Sequence, residues 1–171
     1  TTSTTLTLLL GDCLATTVMK LKSFSKEKFK VFHPGGNIGN SLLLAKDIMI
    51  TGEKMPMIDH KKKFNQALKI MNQKKLGIVV INEKKNIKGL ITDGDLRRVL
   101  NSQSKERDLL KISKKHPLTI HENMPASKAL GIMNEKKITS LLVVSDKDYK
   151  KRERKLKGII HIHSLLNGGI K

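Results

Sequence analysis

Beyond residue 46 the apolar positions change spacing in a fixed order, and the order occurs twice. Apolar residues recur at three- and four-residue intervals from Phe64 to Lys74 and again from Ala126 to Lys136, which predicts two amphipathic helices. Unbroken apolar runs follow each helix, Gly77 to Ile81 and Ser140 to Val144, and read as buried strands. A second run closes each unit, Ile87 to Ile91 and Leu156 to Ile160, and short helices follow at Asp95 to Leu100 and His163 to Leu166. With lead strands near Met57-Ile58 and Leu118-Thr119-Ile120, each unit reads β-α-β-β-α. The copies are also alike in letters. Ala67-Leu68-Lys69-Ile70-Met71-Asn72-Gln73-Lys74-Lys75 returns as Ala129-Leu130-Gly131-Ile132-Met133-Asn134-Glu135-Lys136-Lys137, and Lys88-Gly89-Leu90-Ile91 as Lys157-Gly158-Ile159-Ile160. A helix set between a lone strand and a strand pair cannot bury its own stripe, whereas two such units packed face to face can. The fold class expected is therefore α/β (α+β), built as a pseudo-two-fold pair.

The first 45 residues follow a different rule. Leu6, Leu9, Leu10, Leu14, Val18 and Leu21 predict a helix over 5–22, amphipathic or buried. Phe24 and Phe29 mark a short second helix with Ser25 as its N-cap. A turn follows at Phe32-His33-Pro34-Gly35-Gly36-Asn37, and 41–45 reads as helical. The pattern divides the chain into 1–45, 46–103 and 104–171. The link 101–115 is polar, and the turn 146–155, longer than its counterpart by about six residues and crowded with charge, is expected to be a mobile surface loop. No unbroken apolar run approaches the roughly 18 residues that cross a bilayer, so no membrane partner is expected. The opening Thr1-Thr2-Ser3-Thr4-Thr5 leads straight into a helix without a cap or a leader pattern, which reads as a stretch cut from something longer.

Composition changes this picture in two ways. The formal charge is +19, carried by 34 Lys and Arg against 15 Asp and Glu. Such a surface attracts polyanions. Arginine occurs only at Arg97, Arg98, Arg107, Arg152 and Arg154, Tyr149 is the one tyrosine and tryptophan is absent. Specific nucleic-acid recognition favours arginine forks and stacking aromatics, so the lysines read as a solvated face that also draws phosphorylated metabolites. Cys13 is the single cysteine and cannot form an internal disulfide, which fits a cytoplasmic location.

Two stretches could carry chemistry. Thr92 and Asp95 have the spacing of a capping box, and that alone explains them. The same geometry would hold a phosphate on the helix-start N–H groups and Thr92, and two ribose hydroxyls on Asp95. In the second copy His161 stands where the hydroxyl belongs and Ser164 where the carboxylate belongs, so at most one good nucleotide site is expected. His161 and His163 read as helix-start residues, since no metal-ligand spacing accompanies them. In His33-Pro34-Gly35-Gly36-Asn37, Pro34 holds His33 extended and the glycines permit a close turn, a setting that presents an imidazole rigidly for proton transfer.

The doubled β-α-β-β-α order, with Gly89-Leu90-Ile91-Thr92-Asp93-Gly94-Asp95, resembles the paired CBS module, a cytoplasmic regulatory domain that binds adenosyl and other nucleotide ligands. Residues 1–45 resemble the end of a sugar isomerase (SIS) domain from the arabinose 5-phosphate isomerases, through Thr1 to Thr5, Gly11-Asp12, Phe32 to Gly36, Gly39 and Leu42-Leu43-Leu44. The Thr92-to-Arg98 stretch, Thr-Asp-Gly-Asp-Leu-Arg-Arg, is similar to that family's first repeat. The resemblance implies a parent enzyme that interconverts D-ribulose 5-phosphate and D-arabinose 5-phosphate for Kdo and lipopolysaccharide synthesis, acting on a sugar-phosphate substrate and assembling as a homo-oligomer, a tetramer. It implies that His33 is catalytic and that Ile91, Thr92, Asp95, His161 and Ser164 line a regulatory nucleotide or nucleotide-sugar site. No cofactor is required. The family's phosphate loops, lysine and catalytic glutamates would lie before Thr1, so this stretch alone is expected to be inactive. Two other readings stay open: a stand-alone CBS sensing module without catalytic activity (a decayed or truncated isomerase), and a basic nucleic-acid-binding protein.

Overall fold

The computed structural model describes residues 1–25, 28, 43–102 and 106–170, in two compact units, Thr1–Leu42 and Leu43–Lys171. The first unit contains α1 (Thr2–Leu21). Its threonines turn inward on the helix: the hydroxyls of Thr5, Thr7, Thr16 and Thr17 donate to the carbonyls of Thr1, Ser3, Asp12 and Cys13 at 2.7–3.2 Å. This back-bonding satisfies the hydroxyls on the helix's own carbonyls. Although Thr, Gly11 and Asp12 interrupt every run, α1 as a whole is long and apolar enough to cross a membrane, by length and composition. The core helix of a soluble protein meets the same test. Ser25 accepts from the Lys28 amide at 3.3 Å, as an N-cap would. The remainder of the second helix expected there, the His33 turn and residues 41–42 lie outside the described residues.

In the second unit the order is α2 (Ala45–Ile48), a 3-10 turn (Gly52–Lys54), β1 (Met57–Asp59), α3 (Phe64–Lys74), β2 (Ile78–Glu83), β3 (Asn86–Thr92), α4 (Asp93–Asn101), α5 (Leu109–Ile112), β4 (Thr119–His121), α6 (Ala126–Lys136), β5 (Ser140–Val144), α7 (Asp146–Tyr149), β6 (Leu156–His161) and α8 (Ile162–Asn167). Two three-stranded sheets form, β1-β2-β3 and β4-β5-β6. In each, the first pair is parallel and the second antiparallel, as β-α-β followed by a hairpin requires. The β2–β3 hairpin closes on Lys84 and Lys85, both at positive φ (47° and 69°), the two-residue turn whose twist suits the strands. Both crossover helices end on a left-handed lysine, Lys75 and Lys137, one more sign of duplication.

The central strands carry unbroken apolar stretches, Ile78 to Ile81 and Leu141 to Val144, because both of their faces are buried there. In β2, Val79 and Ile81 join Phe64, Ala67 and Met71 of α3 in the first half's core, with Ile58 and Ile91. In β5, Leu141 and Val143 join Ala129 and Met133 of α6 in the second half's core, with Ile120 and Ile160. The alternate residues, Ile78 and Val80 from one sheet and Leu142, Leu156 and Ile159 from the other, meet in a third cluster that belongs to both halves. The repeats thus share an interior.

The lead-in segments cross over. Residues ahead of β1 pack on the second half: the Ala45 amide donates to the Met124 carbonyl at 2.8 Å, and Ile50 exchanges hydrogen bonds with Ile159 at 2.7 and 3.0 Å. Residues ahead of β4 pack on the first half: Leu109 enters its core, and Lys114 exchanges hydrogen bonds with Leu90 at 2.9 and 3.0 Å. This crossing explains the glycine in each Lys-Gly-apolar-apolar segment. A Cβ on Gly89 would come within 2.3 Å of the Ser113 hydroxyl oxygen, and one on Gly158 within 2.5 Å of the Met49 sulfur.

Two sequence expectations are corrected here. The 101–115 link is not merely polar, since α5 lies in it and Leu109 is fully buried. The 146–155 loop opens with α7, whose cap is Ser145: its hydroxyl accepts from the Asp148 amide at 3.2 Å and donates to the Asp148 carboxylate at 3.0 Å. Its far end is stitched to the β2–β3 hairpin by Ile87 N–H to the Arg154 carbonyl and Leu156 N–H to the Lys85 carbonyl. Charge counting hides both features because each is held by a single short turn, one by Leu109, Leu110 and Ile112 and the other by the Ser145 cap.

Leu142→Ala removes a fully buried side chain from the shared cluster. It is expected to cost about 2–5 kcal/mol in a urea melt followed by circular dichroism. A loss near that of a surface substitution, below about 0.5 kcal/mol, would mean the cluster is not tightly packed.

Candidate nucleotide site

Strand β3 runs out at Thr92, whose extended backbone (φ −100°, ψ 163°) turns the chain into α4. The Thr92 hydroxyl accepts from the Asp95 amide at 3.3 Å, and Asp95 Oδ2 accepts from the Thr92 amide at 2.9 Å and the Thr92 hydroxyl at 2.6 Å. Arg98, one turn on, donates to Asp95 Oδ1. The carboxylate is 7% exposed, so both oxygens are satisfied almost out of water. Burial pushes the Asp95 carboxyl up, but the Thr92 hydroxyl and amide, Arg98 and the charge of Lys114 outweigh it, and the group sits below its ordinary value. It is therefore a carboxylate at neutral pH, charged and held in one orientation.

The two oxygens are not equivalent. Oδ2 is locked inside the capping box. Oδ1 is held by a guanidinium whose side chain is 73% exposed and can swing into water. A pair of hydroxyls can replace Arg98 at Oδ1 without disturbing the helix start. The i,i+3 spacing of Asp95 and Arg98 is legible in the sequence, but the role of Arg98 as the occupant of that oxygen was missed. Ile91 contributes little beyond its backbone, because its side chain is fully buried in the first half's core.

The second half repeats the geometry with other chemistry. Register sets Ile78 opposite Thr92 in one sheet and Ser140 opposite His161 in the other, so His161 stands for Thr92 and Ser164 for Asp95. His161 caps α8, its Nδ1 accepting from the His163 amide at 3.3 Å. Burial pushes the His161 imidazole down, and the neighbouring His163, with ring centres 5.0 Å apart, adds to the effect. Ser140 brings a buried hydroxyl without a hydrogen-bond partner. The first turn of α8 has no acidic residue, so Ser164 offers a neutral hydroxyl where Asp95 offers a carboxylate. Among the described residues, no hydrogen bond joins the Thr92–Asp95 motif to the His161–Ser164 motif, and no group of His, Cys, Asp and Glu is arranged to hold a metal. His33 lies outside the described residues.

Paired β-α-β-β-α units with exchanged lead-ins, each ending in a helix capped from its last strand, define a CBS domain pair. The CBS domain model matches residues 45–102 and 107–169, and the chain belongs to that family. It is similar to the CBS pair CBSX2 solved with AMP (TM-score 0.64, 18% identity, 74% of this chain and 95% of that one). It is also similar to the CBS pair of protein MJ0100 solved with 5′-methylthioadenosine and S-adenosyl-L-methionine (TM-score 0.63, 22% identity, 76% and 99%). Among curated proteins, it is 37% identical to arabinose 5-phosphate isomerase KdsD from Yersinia pestis and from Escherichia coli K12, over 99% of this chain and 51% of each relative. An uncharacterised protein of Rickettsia prowazekii (strain Madrid E) is 37% identical over the same shares. The chain thus spans about half the length of the curated relatives it matches.

Because the folded-state carboxyl of Asp95 is lowered, its contribution to stability is present above the unfolded value, near pH 3.8, and disappears as pH falls through the lower folded value. Asp95→Asn is expected to flatten the stability–pH curve below about pH 4 and to lose about 1 kcal/mol at neutrality through the cap. Chemical denaturation from pH 2.5 to 7 reads both. A variant curve parallel to the parent's would contradict the assignment.

Proposed function

We propose that this chain is the C-terminal part of an arabinose 5-phosphate isomerase, in which a CBS pair senses a nucleotide and regulates or assembles the enzyme. One observation carries this reading. The CBS match begins at residue 45, yet the similarity to the isomerases runs over 99% of the chain and so takes in the first 44 residues as well. A sensing module that never belonged to an isomerase has no reason to share that stretch, and a decayed or truncated isomerase is set apart by the reading frame upstream of Thr1. In this reading 1–45 completes a sugar isomerase domain, and the apolar exterior of α1, where Leu6, Leu8, Leu9, Leu10 and Leu14 are 58–66% exposed, is covered by the rest of that domain. Asp12 at mid-helix argues for a core helix over a membrane span. The lone Cys13 and the absence of any disulfide need suit a cytoplasmic enzyme.

The parent reaction interconverts D-ribulose 5-phosphate and D-arabinose 5-phosphate by moving a proton between adjacent carbons through an enediol, and feeds Kdo synthesis. His33 moves protons on the sugar oxygens, in a neighbouring subunit's site of a tetramer, while the remaining catalytic groups come from the preceding half. The chain by itself does not isomerise. At the CBS pair, ribose hydroxyls displace Arg98 from Asp95 Oδ1, and the phosphate takes the helix start beside Thr92. The adenosyl ligands of the solved neighbours support a nucleotide, and the missing carboxylate at Ser164 supports one strong site over two.

In the full-length enzyme, His33→Ala is expected to lower turnover by roughly 10²–10⁴. Unchanged turnover would remove His33 from the mechanism. Calorimetry of the chain with AMP, other adenine nucleotides and cytidine nucleotides, repeated on Asp95→Ala, tests the regulatory site. Binding lost in the variant supports it, and equal binding by both proteins rules it out.

A further inference from the structure

We propose that the cleft behind the long charged loop is a second ligand site, one that takes a linear di- or triphosphate. The cleft is half-open to solvent, has a volume of about 1030 Å³ and is lined by the start of β3, the residues ahead of β4 and the end of the 146–155 loop. That volume matches the upper range of ligand pockets. It lies away from the Thr92–Asp95 motif: Asn86 and Thr92 are opposite ends of β3, roughly 20 Å apart for six residues of strand. Arg152, Glu153 and Arg154 come from the part of the loop that has no counterpart in the first repeat, so the site is a property of this insertion and not of the repeated motif.

Charge selects the ligand. Four cations line the cleft, Lys88, Lys115, Arg152 and Arg154, against one carboxylate, Glu153. Lys88 is already met by Glu83 at 3.1 Å and by Glu153 at 3.9 Å. Arg154 is fixed without any carboxylate. Its guanidinium donates to the Thr119 hydroxyl, and its Nε donates to the Lys151 carbonyl at 3.0 Å. Among the described residues, Lys115 and Arg152 form no ion pair. Three of the four cations therefore line the cleft without an ion pair of their own, beside the single carboxylate that lies against Lys88, and one of the three is pre-oriented by a buried threonine. Arginine forks and a lysine point charge suit phosphate oxygens, and three of them suit more than one phosphate. The hairpin edges under the cleft are tied together, Asn86 to Glu153 at 3.1 Å and Ile87 to Arg154 at 2.9 Å, so the walls are held before a ligand arrives. Leu118, 44% exposed, and Tyr149 offer an apolar shelf where a base could rest if a nucleoside carries the phosphates.

The test is calorimetry of the full chain with tripolyphosphate, ATP and AMP at fixed ionic strength. Three variants accompany it: Lys115→Glu with Arg152→Glu, Asp95→Ala, and a control with the same charge change on the outer helix faces, Lys69→Glu with Lys128→Glu. Tripolyphosphate is expected to bind one-to-one, to weaken by about tenfold or more in the cleft variant, and to be unchanged in Asp95→Ala and in the control. Tighter binding of ATP than of tripolyphosphate would assign the phosphates to a nucleoside, and equal binding would assign the site to the phosphate chain alone. No heat with either compound, equal binding by the cleft variant, or equal weakening in the control would overturn the proposal. AMP lost only in Asp95→Ala reports on the other site, so the two readings fail separately.

Discussion

Everything that places the candidate sites rests on apolar surface that neither repeat can cover alone. Ile78 and Val80 of one sheet and Leu142, Leu156 and Ile159 of the other are removed from water only when the two halves close. At about 25 cal/mol per Å² of apolar area, such a shared face is the main force holding one half to the other. The crossed lead-ins add direction to this non-directional force. Ile50 with Ile159 and Leu90 with Lys114 are backbone pairings between halves, and they fix the rotation at which the sheets meet. Glycine at 89 and 158 is the steric condition for those crossings.

From that closure the chemistry follows by position. The last strand of each sheet ends at a helix start, and duplication makes two such ends. One has a threonine and a buried carboxylate, the other a histidine pair and a serine, so the pair is symmetric in backbone and asymmetric in charge. The basic cleft arises at the opposite end of the same strands, where the two hairpins are stitched and the lengthened second hairpin folds over. One architecture thus presents two kinds of anion environment. One is a single fixed carboxylate for hydroxyls, the other a convergence of cations for phosphates.

Much of this was legible in the letters. The crossover helices are legible at their observed bounds, 64–74 and 126–136, because apolar spacing and repetition agree there. Strand ends differed by a residue or two, since apolar runs do not show where pairing stops: Glu83, Asn86 and Thr92 pair although they are polar. The capping box at Thr92 and Asp95 was visible from spacing, whereas the Arg98 contact and the Lys114 charge depend on side-chain placement and on the crossing of the second lead-in. The cleft is invisible in the letters for a physical reason: its walls come from three segments far apart in the chain, between Asn86 and Arg154, and only the closed pair brings Lys88, Lys115 and Arg152 to one cleft. Leu109 is hard to see because the short apolar group Leu109, Leu110 and Ile112 spans a single turn inside a polar link and shows no sustained period.

The shared interior can be read directly by native-state hydrogen exchange on the intact chain. The amides of Val80 and Leu142 lie in different repeats, each in the central strand of its sheet. If the halves stand or fall together, both amides open with the same free energy and the same denaturant dependence, as one cooperative unit. Opening of one sheet while the other stays protected, with a difference above about 1 kcal/mol between the two amides, would contradict the account.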